Sequence, residues 1–161
     1  MITQKYLKEI LDYDAETGIF TSKSTRGHNA VSGDVAGSTR PDRYRQIYID
    51  GKPYLSHRLA IMWTTGSFPE KHTDHINADR ADNRLCNIRP ATVIENTRNA
   101  KRSITSSTGF KGVHREHQKY VAAINYGGKK HRIGLFETPE EAHEAYCDEA
   151  DRRFGEYANH G

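Results

Sequence analysis

Asp74 and His75 stand side by side at the start of the segment DHINADRADNRLCNIRPATVIEN, which closes on Asn96 and contains Asn83 and Asn87. The residue types suggest a chemistry. Asp74 offers an anionic oxygen and Asn96 a neutral carbonyl oxygen, and hard donors of this kind suit Mg2+ better than zinc or copper. An imidazole titrating near pH ~6.5 can take a proton from water at neutral pH. Adjacent residues in a strand face opposite ways, so a bend after Asp74 is needed to bring both side chains to one substrate.

The elements around these residues follow from pattern. Asn77, Asp79, Asp82 and Asn83 are turn formers and predict an irregular loop, in which Asn83 by itself reads as a turn residue. RLCNIRPAT reads as a short return strand. Thr92 with Glu95 has the spacing of a capping box, which places Asn96 early in a helix packed over the hairpin. Upstream, TQKYLKEILDY carries apolar residues at helical spacing behind a possible Thr3 cap. DAETG reads as a turn into IFTSK. YRQIYIDGKPYL predicts a hairpin turning on Asp50-Gly51, and HRLAIMWTTG a short helix ended by Gly66. His57 reads as a hydrogen-bonded structural histidine, His72 as a loop residue, and Cys86 and Cys147 as packing residues.

Strand, loop, strand and helix, with Asp-His at one end and Asn on the helix, form an ordered set. Asp74-His75, ADRADNR, Asn87-Ile88-Arg89 and Asn96, preceded by GKPYLSHRLAIMW, resemble the HNH nucleases. The resemblance is closest to the phage and intron-encoded HNH homing endonucleases and covers about 50 residues. It implies a ββα-metal fold that cleaves phosphodiesters. His75 then resembles the general base, and Asp74 and Asn96 the ligands of one Mg2+ or Mn2+ ion. Asn87 resembles the middle Asn that holds the hairpin and the base in place. Asn96, where many such enzymes have His, disfavours zinc and nickel. Arg89 or Arg98 could clamp a neighbouring phosphate.

Past KRSITSST, which has linker composition, three strands are expected in FKGVHRE, KYVAAINY and KKHRIGLF, with a hairpin turn at Gly127-Gly128. In the middle strand Tyr120, Ala122 and Ile124 share one face and Val121, Ala123 and Asn125 the other. In the last strand Ile133 and Leu135 are expected opposite Lys130 and Arg132. A helix follows, capped by Thr138 with Pro139 and Glu141, its stripe made by Ala142, Ala145, Tyr146, Ala150 and Phe154. GV at 112 and 113, YVAAI, IGLFETPEEAHEAYCDEA and YAN resemble the AP2 DNA-binding domain, which lays a three-stranded sheet in the major groove. The resemblance implies that Lys111, His114, Asn125, Lys130 and Arg132 face DNA. Arg132 and Ala123 stand where the plant domains carry Trp and Glu, so base specificity does not transfer.

Composition sets the limits. At 161 residues, 35% apolar, with mean hydropathy −0.86, the chain has room for small modules rather than one large core. No apolar run reaches the ~18 residues of a membrane span. Two cysteines without a C-x-x-C pattern exclude a four-cysteine zinc site and disfavour a disulfide framework, so a cytoplasmic protein is expected. Net charge is only +3, but nine Lys/Arg against one acid fall between Arg98 and Phe136, and eight acids against two arginines follow. Such a basic segment suits a polyanion. The expected fold is α+β: residues 1–71 support the nuclease, 72–100 form the HNH motif, 101–108 link, and 109–161 form the AP2-like domain. The expected function is a site-directed, monomeric DNA endonuclease acting on double-stranded DNA. It would nick, or cut the strands one after the other. The rival expectation is a DNA-binding regulator with a catalytically silent HNH scaffold.

Overall fold

The structure is a computed structural model that describes residues 2–27, 30–99 and 107–161. Most of the sequence-expected linker, and with it Lys101 and Arg102, lies outside the described residues. The chain divides into two compact units, Met1–Thr92 and Val93–Gly161, and the fold of each is α+β. No described helix is long and apolar enough to cross a membrane.

The first unit begins with α1 (Gln4–Ile10), capped by Thr3, whose hydroxyl accepts from the Tyr6 N–H at 3.2 Å. The expected helix stops early. Leu11–Asp14 is instead β1, pairing antiparallel with β2 (Ile19–Ser22) so that Tyr13 opposes Phe20. Leu11 and Tyr13 satisfy both a helical and an alternating period, and burial of both in the strand pairing decides between them. β3 (Ser38–Thr39), β4 (Arg45–Ile49) and β5 (Lys52–Leu55) form a three-stranded sheet. Its hairpin turns at Asp50 (φ 51) and Gly51 (φ 75), both left-handed as a two-residue turn requires. α2 (Ser56–Thr65) follows and ends at Gly66. Leu7, Leu11, Phe20, Ile47, Ile49 and Leu59 are the centre of the core these elements share. β6 (His72–His75) and β7 (Ile88–Ala91) make a separate antiparallel pair, with a single turn of 3-10 helix at Leu85–Asn87 before β7.

The second unit opens with α3 (Val93–Arg98), which carries Asn96. β8 (Val113–Glu116), β9 (Lys119–Tyr126) and β10 (Lys129–Phe136) form a sheet in the order β10-β9-β8. α4 (Pro139–Phe154) packs against one face through Ala142, Tyr146 and Ala150, joined by Val113, Ala122 and Ile124. Its start is closed by a capping box, with Thr138 and Glu141 each accepting from the other's backbone. Gly112 lets the loop before β8 lie on the Tyr146 ring, since a Cβ there would come within 2.1 Å of it.

One sheet expectation is corrected. A register shift between Arg132 and Gly134 interrupts the alternation of β10. Leu135 then pairs with Val121 rather than sharing the inner face with Ile133, and it is 48% exposed. An extra residue in a strand is invisible to a period-2 reading, which assumes the pleat never skips.

Candidate active site

The pairing of β6 with β7 places Asp74 directly opposite Arg89 and His75 opposite Ile88. Thr73, Asp74, His75 and Arg89 are all buried. Arg89 is not a free phosphate clamp. Its Nε (2.9 Å) and one Nη (2.7 Å) both donate to Asp74 Oδ2, a buried charge-assisted pair. The sequence could not show this, because the irregular loop between the strands leaves their register undetermined.

The loop from Ile76 to Arg84 is held by its own polar side chains. Asn87 is 6% exposed, and its amide is directed into the loop. Its Oδ1 accepts from the Asn77 N–H (3.0 Å), and its Nδ2 donates to Asn77 Oδ1 (3.1 Å) and to the Asp82 carbonyl (2.9 Å). Asp82 in turn receives Arg84 through two nitrogens, at 2.8 and 2.7 Å. Arg80 donates to the Asp42 carbonyl and lies over the Tyr44 ring at 5.0 Å, which joins the loop to the turn between β3 and β4.

His75 sits among rings. His57 on α2 meets it edge-on at 5.1 Å between centroids, and Tyr44 lies 5.8 Å from it and 5.3 Å from His57. Its Nε2 is 3.4 Å from Asn83 Oδ1. Burial pushes the His75 imidazole below its ordinary value, against the opposing effects of the Asn83 contact and the Asp74 charge. Burial thus favours the neutral ring, the state in which it can accept a proton. Burial, and next the neighbouring His75, push His57 down to about 3. His57 is expected from the sequence to be hydrogen-bonded, but its buried Nδ1 has no hydrogen-bond partner among the described residues. Cys86 is exposed rather than packed, and His72 belongs to β6.

Asn83 was the residue that sequence reasoning undervalued. It is 1% exposed, one of the largest fully buried side chains in the structure. The β1–β2 hairpin seats it. Tyr13 Oη donates to the Asn83 carbonyl at 2.8 Å. Gly18 (φ 73) lies so close that a Cβ would come within 2.4 Å of the Arg84 nitrogen and 2.5 Å of the Asn83 carbonyl carbon. The signal in the sequence is Gly18, but nothing local ties it to residue 83.

In the second unit Asn96 lies on α3, half-buried. Arg98 stacks its guanidinium over Phe154 at 4.5 Å. Lys111 is also directed inward: its Nζ donates to the carbonyls of Arg98 (3.1 Å) and Asn159 (2.8 Å), and burial lowers it to about 8. The expectation that Lys111 faces DNA is thus replaced by a clamp on the end of α3 and the C-terminal segment. His114, Asn125, Lys130 and Arg132 are exposed. Their registers (His114↔Val121, Lys130↔Asn125, Arg132↔Ala123) put them on the sheet face away from α4. Arg132 pairs there with Glu116 at 2.9 Å, both more than two-fifths exposed.

The donor set fits a hard divalent ion in kind. Asp74 is the one buried carboxylate of the pair of strands, and Mg2+ commonly takes one or two carboxylates and completes its shell with water and phosphate oxygens. A carboxylate has about four lone-pair sites, so a guanidinium and a cation can share it. No group of three His, Cys, Asp or Glu converges among the described residues, which is not the donor set of a structural zinc site.

Comparison with known proteins bears on the same segment. Residues 54–98 match the family model for HNH endonucleases. An uncharacterized HNH endonuclease, L560 of Acanthamoeba polyphaga mimivirus, is 30% identical over 117 residues, which is 71% of this chain and 60% of that protein. The chain thus spans less than two thirds of that relative. A solved structure of the HNH homing endonuclease I-HmuI, described as showing DNA binding and cleavage, aligns with a TM-score of 0.45 at 19% identity. That alignment covers 92% of this chain and 83% of the other.

Proposed function

We propose that this protein is a site-directed DNA endonuclease of the homing type, hydrolysing one strand at a time. The observation that carries the reading is the β6–β7 pair within the HNH-like segment. It presents a buried carboxylate held by Arg89 beside an imidazole whose neutral form burial favours.

The chain's own residues would act as follows. His75 accepts a proton from the attacking water. The rings of His57 and Tyr44 and the amide of Asn83 fix its plane. Asp74 is the ligand for a divalent ion, and Asn96 is the second oxygen donor that the family resemblance implies. Arg89 orients the Asp74 carboxylate through two N–H donors on one oxygen. Asn87 braces the loop that follows His75. Bound Mg2+ or Mn2+ supplies electrostatic stabilisation of charge growing on the phosphoryl and leaving oxygens. The exposed sheet face with His114, Asn125, Lys130 and Arg132 is the candidate reader of double-stranded DNA. Arg to guanine and Asn to adenine are the pairings its chemistry allows.

Incubating the protein with supercoiled plasmid and with DNA from its source genome, in Mg2+ and in EDTA, tests this. Nicked or linear product with defined ends, formed only with the metal, is expected. A mobility shift with no cutting would favour a DNA-binding regulator. A smear would indicate a non-specific nuclease.

A further inference from the structure

Arg80, in the loop ADRADNR, has no task in the chemistry assigned to Asp74, His75 and Asn96. The arginines expected to clamp a phosphate are engaged elsewhere, Arg89 on Asp74 and Arg98 over Phe154. Arg80 is exposed yet held in place. Its Nη1 donates to the Asp42 carbonyl at 3.2 Å, and its guanidinium carbon lies 5.0 Å from the centre of the Tyr44 ring. The turn that supplies both contacts is itself closed. The Arg40 N–H donates to the Tyr44 carbonyl at 2.8 Å, the Arg43 N–H donates to the Arg40 carbonyl at 2.9 Å, and Arg43 takes φ 67. The carboxylates nearby have other partners: Asp42 accepts from Arg40 Nε and Nη2, each at 3.1 Å, and Asp82 accepts from Arg84. Arg80 thus forms no ion pair among the described residues, and a guanidinium can only donate, so most of its N–H groups await an acceptor.

Position gives this arginine its target. The Tyr44 ring also lies 5.8 Å from the His75 ring, so one aromatic side chain separates the buried imidazole from the exposed guanidinium. A DNA strand carries a phosphate every ~3.4 Å along the helix axis, so a strand that presents one phosphate to His75 runs its neighbours past a group at this reach. A surface arginine ordinarily gives up side-chain freedom when it binds; one already stacked and hydrogen-bonded has less to lose. Its planar fork matches the oxygens of a phosphate. We propose that Arg80 is a phosphate-binding residue of the cleavage site: held by Asp42 and Tyr44, its guanidinium grips a phosphate flanking the one that lies against His75. The inference rests on the endonuclease reading for the role of that strand, while the grip itself is measured by affinity.

The test uses the full-length protein and duplexes of its mapped target, each carrying one methylphosphonate on the cut strand near the break. A methylphosphonate keeps the shape of a phosphate and removes its charge. At one flanking position it is expected to weaken binding by the parent about 10- to 100-fold, the range for losing hydrogen bonds to a charged group. Arg80→Gln keeps a donor for the Asp42 carbonyl but no charge. It is expected to bind unmodified DNA correspondingly less well, to lower the slope of log affinity against log salt by about 1, and to be indifferent to the methylphosphonate at that position alone. Arg80→Lys should recover the salt slope and only part of the affinity, because it lacks the fork. Arg80→Gln with the parent's affinity and salt slope would overturn the inference and leave the nuclease standing. So would equal sensitivity of parent and Arg80→Gln to every methylphosphonate, the result expected if Arg80 only ties the loop to the turn. If the parent binds DNA without cutting it, duplexes of the bound site carry the same comparison: a matched loss there keeps Arg80 as a phosphate contact, and the endonuclease reading falls.

Discussion

Arg89 and His57 show how much a single buried group decides here. The guanidinium of Arg89 and the carboxylate of Asp74 are both withdrawn from water, so removing one strands the other. Breaking a buried pair in this way typically costs about 3–5 kcal/mol. Arg89→Ala should therefore lower the urea midpoint of the first unit markedly, and a variant as stable as the parent would show that the pair is dispensable. His57 makes a different prediction. Its folded-state value of about 3 lies below the ordinary 6.5, so the unfolded chain binds its proton first as pH falls. Stability is complete above pH 6.5 and declines from there towards pH 3, by at most about 1.4 kcal/mol per pH unit for this one group. Replacing it, as in His57→Phe, should flatten that slope in acid denaturation followed by circular dichroism. An unchanged slope would place the acid lability elsewhere. Asp74, His75, Asn87 and Asn96 stand out in the sequence as candidates because their order is distinctive. Asn83 and Arg89 were misjudged because what fixes them is a partner far along the chain: Tyr13 and Gly18 for the one, an unreadable strand register for the other.

Elements whose ends are marked by their own chemistry were legible. The Asp50-Gly51 and Gly127-Gly128 turns, the Gly66 stop and the Thr138 capping box each announce a boundary in two to four residues. Elements defined by competition were not. Leu11 and Tyr13 could have continued α1, and only pairing with β2 makes them a strand. The shift in β10 moves Leu135 to the outer face with no sign in the sequence. The cap itself can be tested. Thr138→Ala removes the acceptor for the Glu141 N–H (3.2 Å) and should cost about 1 kcal/mol of stability in the second unit. That loss would appear as a lower midpoint in thermal unfolding; no shift would mean that α4 is fixed by its packing alone.

At the scale of the whole molecule, charge placement matters more than net charge. In the proposed reading the exposed basic residues of the β8–β10 sheet hold a polyanion, and each phosphate contact adds to the salt dependence of binding. Lys130→Ala is expected to reduce the slope of log affinity against log salt by about 1. Arg132 is paired with an exposed Glu116, so its contribution should be smaller unless DNA displaces the carboxylate. Equal slopes for parent and variants would remove this face from DNA binding. The central claim, however, is catalytic. His75→Ala, compared with the parent in single-turnover cleavage of a mapped DNA target in Mg2+ and in DNA affinity, tests it most directly. The account predicts a loss of about 100- to 10,000-fold in rate with affinity essentially retained; cutting at the parent's rate by that variant would contradict it.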